Sequence, residues 1–286
     1  MRWTQALLRI VLIGVVAAVA APVATSTAAA PDGGFTVRWD AVAKKDRAAA
    51  ASLRASGLVD RLAERLNARL VVPQPVTLRI GRSAITGPFV ERPPVYGRYA
   101  GVMPAAWLTW VHARLGPKLA LWKALPALRR LGARRVTNLA AAAFLAHEAG
   151  HALITMFDLP ITGREEDAAD GFAIRLLLSE PGFDADAALA MVGSLAPFAA
   201  ITRLDVLAFS DSHELPQQRM VQMLCWVYGS DPARFAGLIG NRLLPGSRSP
   251  LCAGEWRQLQ HAWDVLLAPH ARPAPAGAVP ARDAAA

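Results

Sequence analysis

The stretch Phe144-Leu145-Ala146-His147-Glu148-Ala149-Gly150-His151-Ala152-Leu153-Ile154 decides how the rest of the chain is read. On an α-helix a spacing of four is about one turn, so His147 and His151 point the same way. Two neutral imidazoles so placed can hold one Zn²⁺, and Glu148 can reach a water beside it. Each residue type has its own task. The imidazoles leave zinc acidic, zinc makes a water easier to deprotonate, and a carboxylate takes the proton. With six histidines in the chain, random placement yields H-E-x-x-H about 0.003 times. A buried helix whose two histidines are satisfied independently is therefore the weaker explanation.

A hydrolytic zinc site needs a third protein ligand and an open fourth position. Downstream the chain reads Leu159-Pro160-Ile161-Thr162-Gly163-Arg164-Glu165-Glu166-Asp167-Ala168-Ala169-Asp170-Gly171-Phe172. Leu-Pro and Thr-Gly end the first helix and turn the chain. Thr162 and Glu165 have capping-box spacing, which predicts that Thr162 caps a second helix and Glu165 folds back onto it. Glu166 is then free to face the metal as third ligand. Asp170, four residues on along the same face, is placed to accept a hydrogen bond from the outer nitrogen of a ligand histidine. Glu165 and Asp170 stay open as alternative third ligands, because an acidic first turn also suits the helix dipole.

H-E-x-x-H followed by E-x-x-x-D on a second helix resembles the gluzincin metallopeptidases, thermolysin-like enzymes among them. A closer resemblance is to a family of bacterial secreted metallopeptidase-like proteins of unassigned function. It is carried by His147 to Phe172 and by a second block from His213 to Pro232, containing Gln218-Arg219 and Leu224-Cys225-Trp226-Val227-Tyr228-Gly229. The resemblance implies a zincin-like core, one Zn²⁺ on His147, His151 and Glu166, Glu148 as general base, and a peptide or protein substrate. It also raises His213 as a second catalytic group, its N–H holding an oxyanion and Asp211 orienting it. The plain alternative is a loop histidine. Arg219 is expected to anchor an acidic neighbour.

The chain has 286 residues, 53% of them apolar, enough for one sizeable core. Residues 1–28 carry Arg2 and Arg9, an apolar run from Ile10 to Ala20, and an Ala18-Val19-Ala20 cleavage signal. They read as a signal peptide and the start of a linker, predicting an exported protein, periplasmic or secreted. An uncleaved membrane anchor is the alternative. Residues 29–268 are expected to form a single domain, and 269–286 an Ala/Pro-rich disordered tail. Export accounts for the cysteines: the only two are Cys225 and Cys252, and an even pair in an oxidising compartment predicts one disulfide.

The expected fold is α+β, mostly helical, with a small sheet near the N-terminus. Phe35 to Trp39 and Val76 to Ile80 read as strands, and 46–70 as a helix with Gly57 as a break. Tyr96 to Val102 is the candidate edge strand beside the metal helix, which Asn138 would cap. Trp107 to Arg135 mixes tryptophans with basic groups. Inward-packed tryptophans with a solvated basic side are favoured there over a peripheral membrane or anionic-polymer face. Nucleic-acid binding has no motif to support it, despite a net charge of +9. The expected function is zinc-dependent peptide hydrolysis outside the cytoplasm. Two other readings are a non-catalytic zinc-stabilised envelope binding protein and a zinc amidase acting on cell wall. The oligomeric state is not read from the sequence.

Overall fold

A computed structural model describes residues 33–115, 126–181, 183–202 and 210–273. The signal-peptide segment, the middle of the tryptophan-basic stretch with Trp122, and the tail from residue 274 lie outside the described residues.

Apolar side chains at helical spacing build the first layer. Leu53 lies on α1 (Arg47–Ala55), and Leu58, Leu62 and Leu66 lie on α2 (Leu58–Arg69), all fully buried. Between the two helices Gly57 turns the chain with φ +63°, a left-handed conformation that glycine adopts at little cost. These helices cross between two parallel strands, β1 (Phe35–Trp39) and β2 (Val76–Gly81), as a parallel connection requires. The sheet then continues β1-β2-β4-β3, with β4 (Tyr99–Pro104) parallel to β2 and β3 (Phe89–Glu91) antiparallel to β4.

This order corrects one expectation. Tyr96 to Val102 does not supply an edge strand: β4 is paired on both sides and buried along its length. The three-residue β3 is the outer strand instead. A strand as short as β3 carries almost no periodicity from which its place could be read.

After α3 (Ala105–Arg114) comes α4 (Pro126–Met156), bent at Gly132, where φ is 75° and ψ 157°. All residues from Val136 to Ile154 are buried. Asn138 therefore lies inside the helix rather than capping it, and its Nδ2 donates to Ser52 O at 3.2 Å and Ser52 Oγ at 3.0 Å. By length and composition α4 could cross a membrane, yet 89% of its apolar window is buried within the protein. Core packing explains that hydropathy.

The second half is helical: α5 (Glu165–Ser179), α6 (Ala185–Ala199), α7 (Pro216–Ser230), α8 (Gly237–Gly240) and α9 (Ser249–Leu267). The α+β, mostly helical expectation holds. Past α9 the backbone remains attached to the domain: Val71 N donates to His270 O and Arg272 N to Arg69 O. The Ala/Pro-rich tail thus begins later than residue 269.

Trp107 is buried edge-on against Phe144 at 5.3 Å, and Trp110 lies 4.6 Å from Phe198 with Arg114 over its ring. These two tryptophans pack against other rings, as the amphipathic-helix reading expects.

Cys225 and Cys252 form a disulfide joining α7 to the first turn of α9, 27 residues apart in sequence. Such a bond persists in an oxidising environment. The helices meet so closely that a Cβ on Gly229 would fall 2.1 Å from Cys252 O. Closing a loop of this length removes unfolded-state entropy worth roughly 3–4 kcal/mol. Reduction is expected to lower the urea midpoint accordingly, and an unchanged midpoint would show the bond to be energetically idle.

Candidate metal centre

α4 delivers His147 and His151 from its buried stripe, and the first turn of α5 delivers Glu166. His147 Nε2 and His151 Nε2 are 3.1 Å apart, and Glu166 Oε2 lies 3.2 and 3.3 Å from them. Bonds of about 2.0–2.1 Å arranged tetrahedrally separate ligand atoms by about 3.3 Å, so this triangle fits one face of a zinc-sized site. Glu166 Oε2 is buried without a hydrogen bond of acceptable geometry, although three ring nitrogens crowd it. An oxygen in that position is what a shared cation would satisfy. His147, His151 and Glu166 can thus hold a metal ion.

Around the triangle stands a set of orienting groups. Asp170 Oδ1 lies 2.8 Å from His147 Nδ1. The angle is poor for a hydrogen bond, so the contact counts as electrostatic. Arg219 grips Asp170 with two bonds, Nε to Oδ2 at 2.8 Å and Nη2 to Oδ1 at 2.7 Å. The anchoring expected of Arg219 is therefore present, and Asp170 faces away from the triangle.

Glu165 does not fold back onto a cap. α5 begins at Glu165 with Arg164 as its N-cap residue and no side-chain cap, so the Thr162 capping box does not form. Glu165 Oε1 instead lies 2.6 Å from His151 Nδ1 and accepts from Arg92 Nη1 at 2.5 Å. Arg92, just past β3, also donates to Thr155 Oγ1 at 2.7 Å. Sequence reasoning missed Arg92 altogether, since it stands far upstream with no motif around it.

His213 comes from the loop before α7. Its Nε2 lies 2.8 Å from Glu166 Oε2, and Asp211 Oδ1 is 3.0 Å from its Nδ1. His213 is thus brought to the triangle and oriented by Asp211. Glu148 is buried and lines a cavity of about 350 Å³ together with His147 and His213. Strand β4 presses on it: a Cβ at Gly101 would come within 3.0 Å of Glu148 Cβ. His112 and His261 lie away from the triangle, and His270 stacks on Phe157 at 3.5 Å.

Charge in this pocket is redistributed. Burial alone would lower the pKa of His147, but Asp170, Glu166 and Glu148 push it up to about 10. His151 also moves up, against the same burial, through Glu165 and Glu166. Burial opposes ionisation of Glu166, yet its contacts to His147, His151 and His213 hold its carboxyl well below the usual range. Asp170 is likewise brought down to about 2, Arg219 overcoming the effect of burial. Glu148 goes the other way, raised by burial despite the nearby histidines.

A sign follows for metal uptake. With its pKa raised to about 10, His147 holds a proton at pH 7, and ligation requires neutral imidazoles. Affinity is expected to strengthen as pH rises toward 10 and to weaken on acidification. Zinc titration calorimetry at pH 7 in buffers of different ionisation heats should register net proton release, and none would contradict this assignment.

Residues 130–267 match the profile of a family described as "Putative metallopeptidase". The match covers just under half of the chain, and over that segment the chain is similar to this family. The segment contains both histidines, Glu148, Glu166, Asp170, His213 and the disulfide, whereas the sheet and α1–α3 lie outside it. No curated protein and no solved structure matches the chain. The matched segment thus supplies the metal triangle, and the preceding residues supply the β4 wall and Arg92.

Proposed function

We propose that this protein is a zinc-dependent peptidase acting outside the cytoplasm. The observation that carries the reading is the donor triangle of 3.1, 3.2 and 3.3 Å with Glu148 beside it in one cavity. Two imidazoles and one carboxylate, with room for a further ligand, are the donor set of hydrolytic zinc. When bound there, the ion supplies Lewis acidity that acidifies a water and polarises a carbonyl oxygen.

The chain's own residues account for the remaining steps. A carboxylate whose pKa is raised by burial is a better proton acceptor, so Glu148 takes a proton from water as its oxygen adds to the scissile carbonyl carbon. Doubly protonated His213 donates Nε2–H to the oxyanion that forms, while its Nδ1–H donates to Asp211, which steadies the imidazolium. Glu148 passes its proton to the amide nitrogen as the C–N bond breaks. Asp170, held by Arg219, and Glu165, held by Arg92, fix the two ligand rings. The outer edge of β3 offers backbone groups with which an extended peptide can pair. The disulfide, together with the signal-peptide reading of residues 1–28, supports an oxidising compartment for this chemistry.

The test is cleavage of an unfolded protein and a mixed peptide library by zinc-loaded protein, with and without a chelator. Chelator-sensitive peptide cleavage is expected. Release of cell-wall fragments without peptide cleavage would favour the amidase, and zinc binding with neither would favour a non-catalytic binding protein.

A further inference from the structure

The cavity beside Glu148 does not end at the metal triangle. Gly87, Trp107 and Phe198 form one side of it and also border a second, larger cavity of about 610 Å³. The two cavities therefore adjoin at that shared wall, two chambers side by side. The first chamber is apolar around Trp107, Phe144 and Phe198. The second carries charge: Lys45 and Arg114 stand on its wall.

Among the described residues neither cation forms an ion pair, and Arg114 lies flat over Trp110 with its guanidinium 4.0 Å from the ring centre. A stacked guanidinium keeps its edge free for a carboxylate. Asp46 also lines this chamber, but it is buried and accepts from Thr109 Oγ1 at 2.8 Å. Lys45 and Arg114 outnumber this one buried carboxylate, so the chamber's charge is net positive.

We infer that this pair of chambers selects peptides with a bulky apolar side chain beside the scissile bond and an acidic side chain farther along, received by Lys45 and Arg114. Position gives the spacing. From Trp107 to Arg114 the helix rises about 10 Å at 1.5 Å per residue, and an extended peptide covers that in about three residues at 3.3 Å each. The inference deepens the peptidase reading and rests on it for the substrate being a peptide.

Binding separates the two. The zinc-loaded full chain carrying Glu148→Gln is titrated with fluorescein-labelled heptapeptides bearing a central Phe and Glu, Gln or Lys three residues to either side. The Glu peptide of one orientation is expected to bind about 3- to 10-fold more tightly than its Lys counterpart, because two partly screened cations contribute modestly each. Raising salt should shrink the gap. Arg114→Glu and Lys45→Glu should each reduce or reverse it, while Arg114→Lys, which keeps the charge, should largely preserve it. Equal affinity for all peptides, no binding at all, or a preference unchanged in the Arg114→Glu, Lys45→Glu double variant would overturn the inference. Wild-type cleavage of peptides regardless of charge would leave the peptidase standing and remove the acidic subsite. Charge-selective binding without wild-type cleavage would do the reverse.

Discussion

Glu148→Gln is expected to retain one zinc per chain and to lose peptide hydrolysis by about 10²–10⁴-fold, the usual contribution of a general base. The amide matches the carboxylate in size, which matters because Gly101 of β4 leaves no slack at Glu148 Cβ. It cannot take a proton from water, so the donor triangle survives while the proton transfer fails. Elemental analysis and peptide turnover are read on the same preparation. Wild-type turnover with zinc in place would end the mechanism, because Glu166 closes the triangle, Glu165 serves His151 and Asp170 serves Arg219.

Glu166→Ala should have the largest effect on the metal itself. It removes one corner of the triangle and leaves His147, His151 and His213 without the carboxylate that draws their Nε2 atoms together. Removing a group that merely orients a ligand costs roughly 10–100-fold in metal affinity. Glu165→Ala, which frees His151 Nδ1, is expected to fall in that range, and Glu166→Ala to exceed it. Competition with a coloured zinc chelator measures both. Affinity unaffected by Glu166→Ala would move the third ligand elsewhere and dismantle the comparison with gluzincins.

The parts of the site that sequence makes readable are those governed by helical periodicity. His147 to His151 and Glu166 to Asp170 are each four residues apart on one helix, and geometry within a helix needs no knowledge of the rest of the fold. Cys225 and Cys252 were readable because two cysteines admit only one pairing. Glu165 was misread for the opposite reason. Its local option was the backbone N–H of Thr162, and a histidine one helix away together with an arginine from the sheet offered charged partners that a neutral N–H could not match. Arg92, Gly101 and the edge position of β3 share that character. Each depends on which strand lies beside α4, and strand order is decided by long-range pairing rather than by neighbours in sequence.

Arg92 has a consequence for how the molecule responds to what it binds. It sits at the end of β3 yet its guanidinium rests on α4 through Thr155 and on α5 through Glu165, which touches His151. The outer strand and the ion pocket are thus two ends of a single lever. Coupling between sites is reciprocal: whatever steadiness an ion lends to the outer strand, a peptide laid along that strand returns to the ion. For the proposed peptidase the expected result is that metal is held more firmly when a peptide lies along β3.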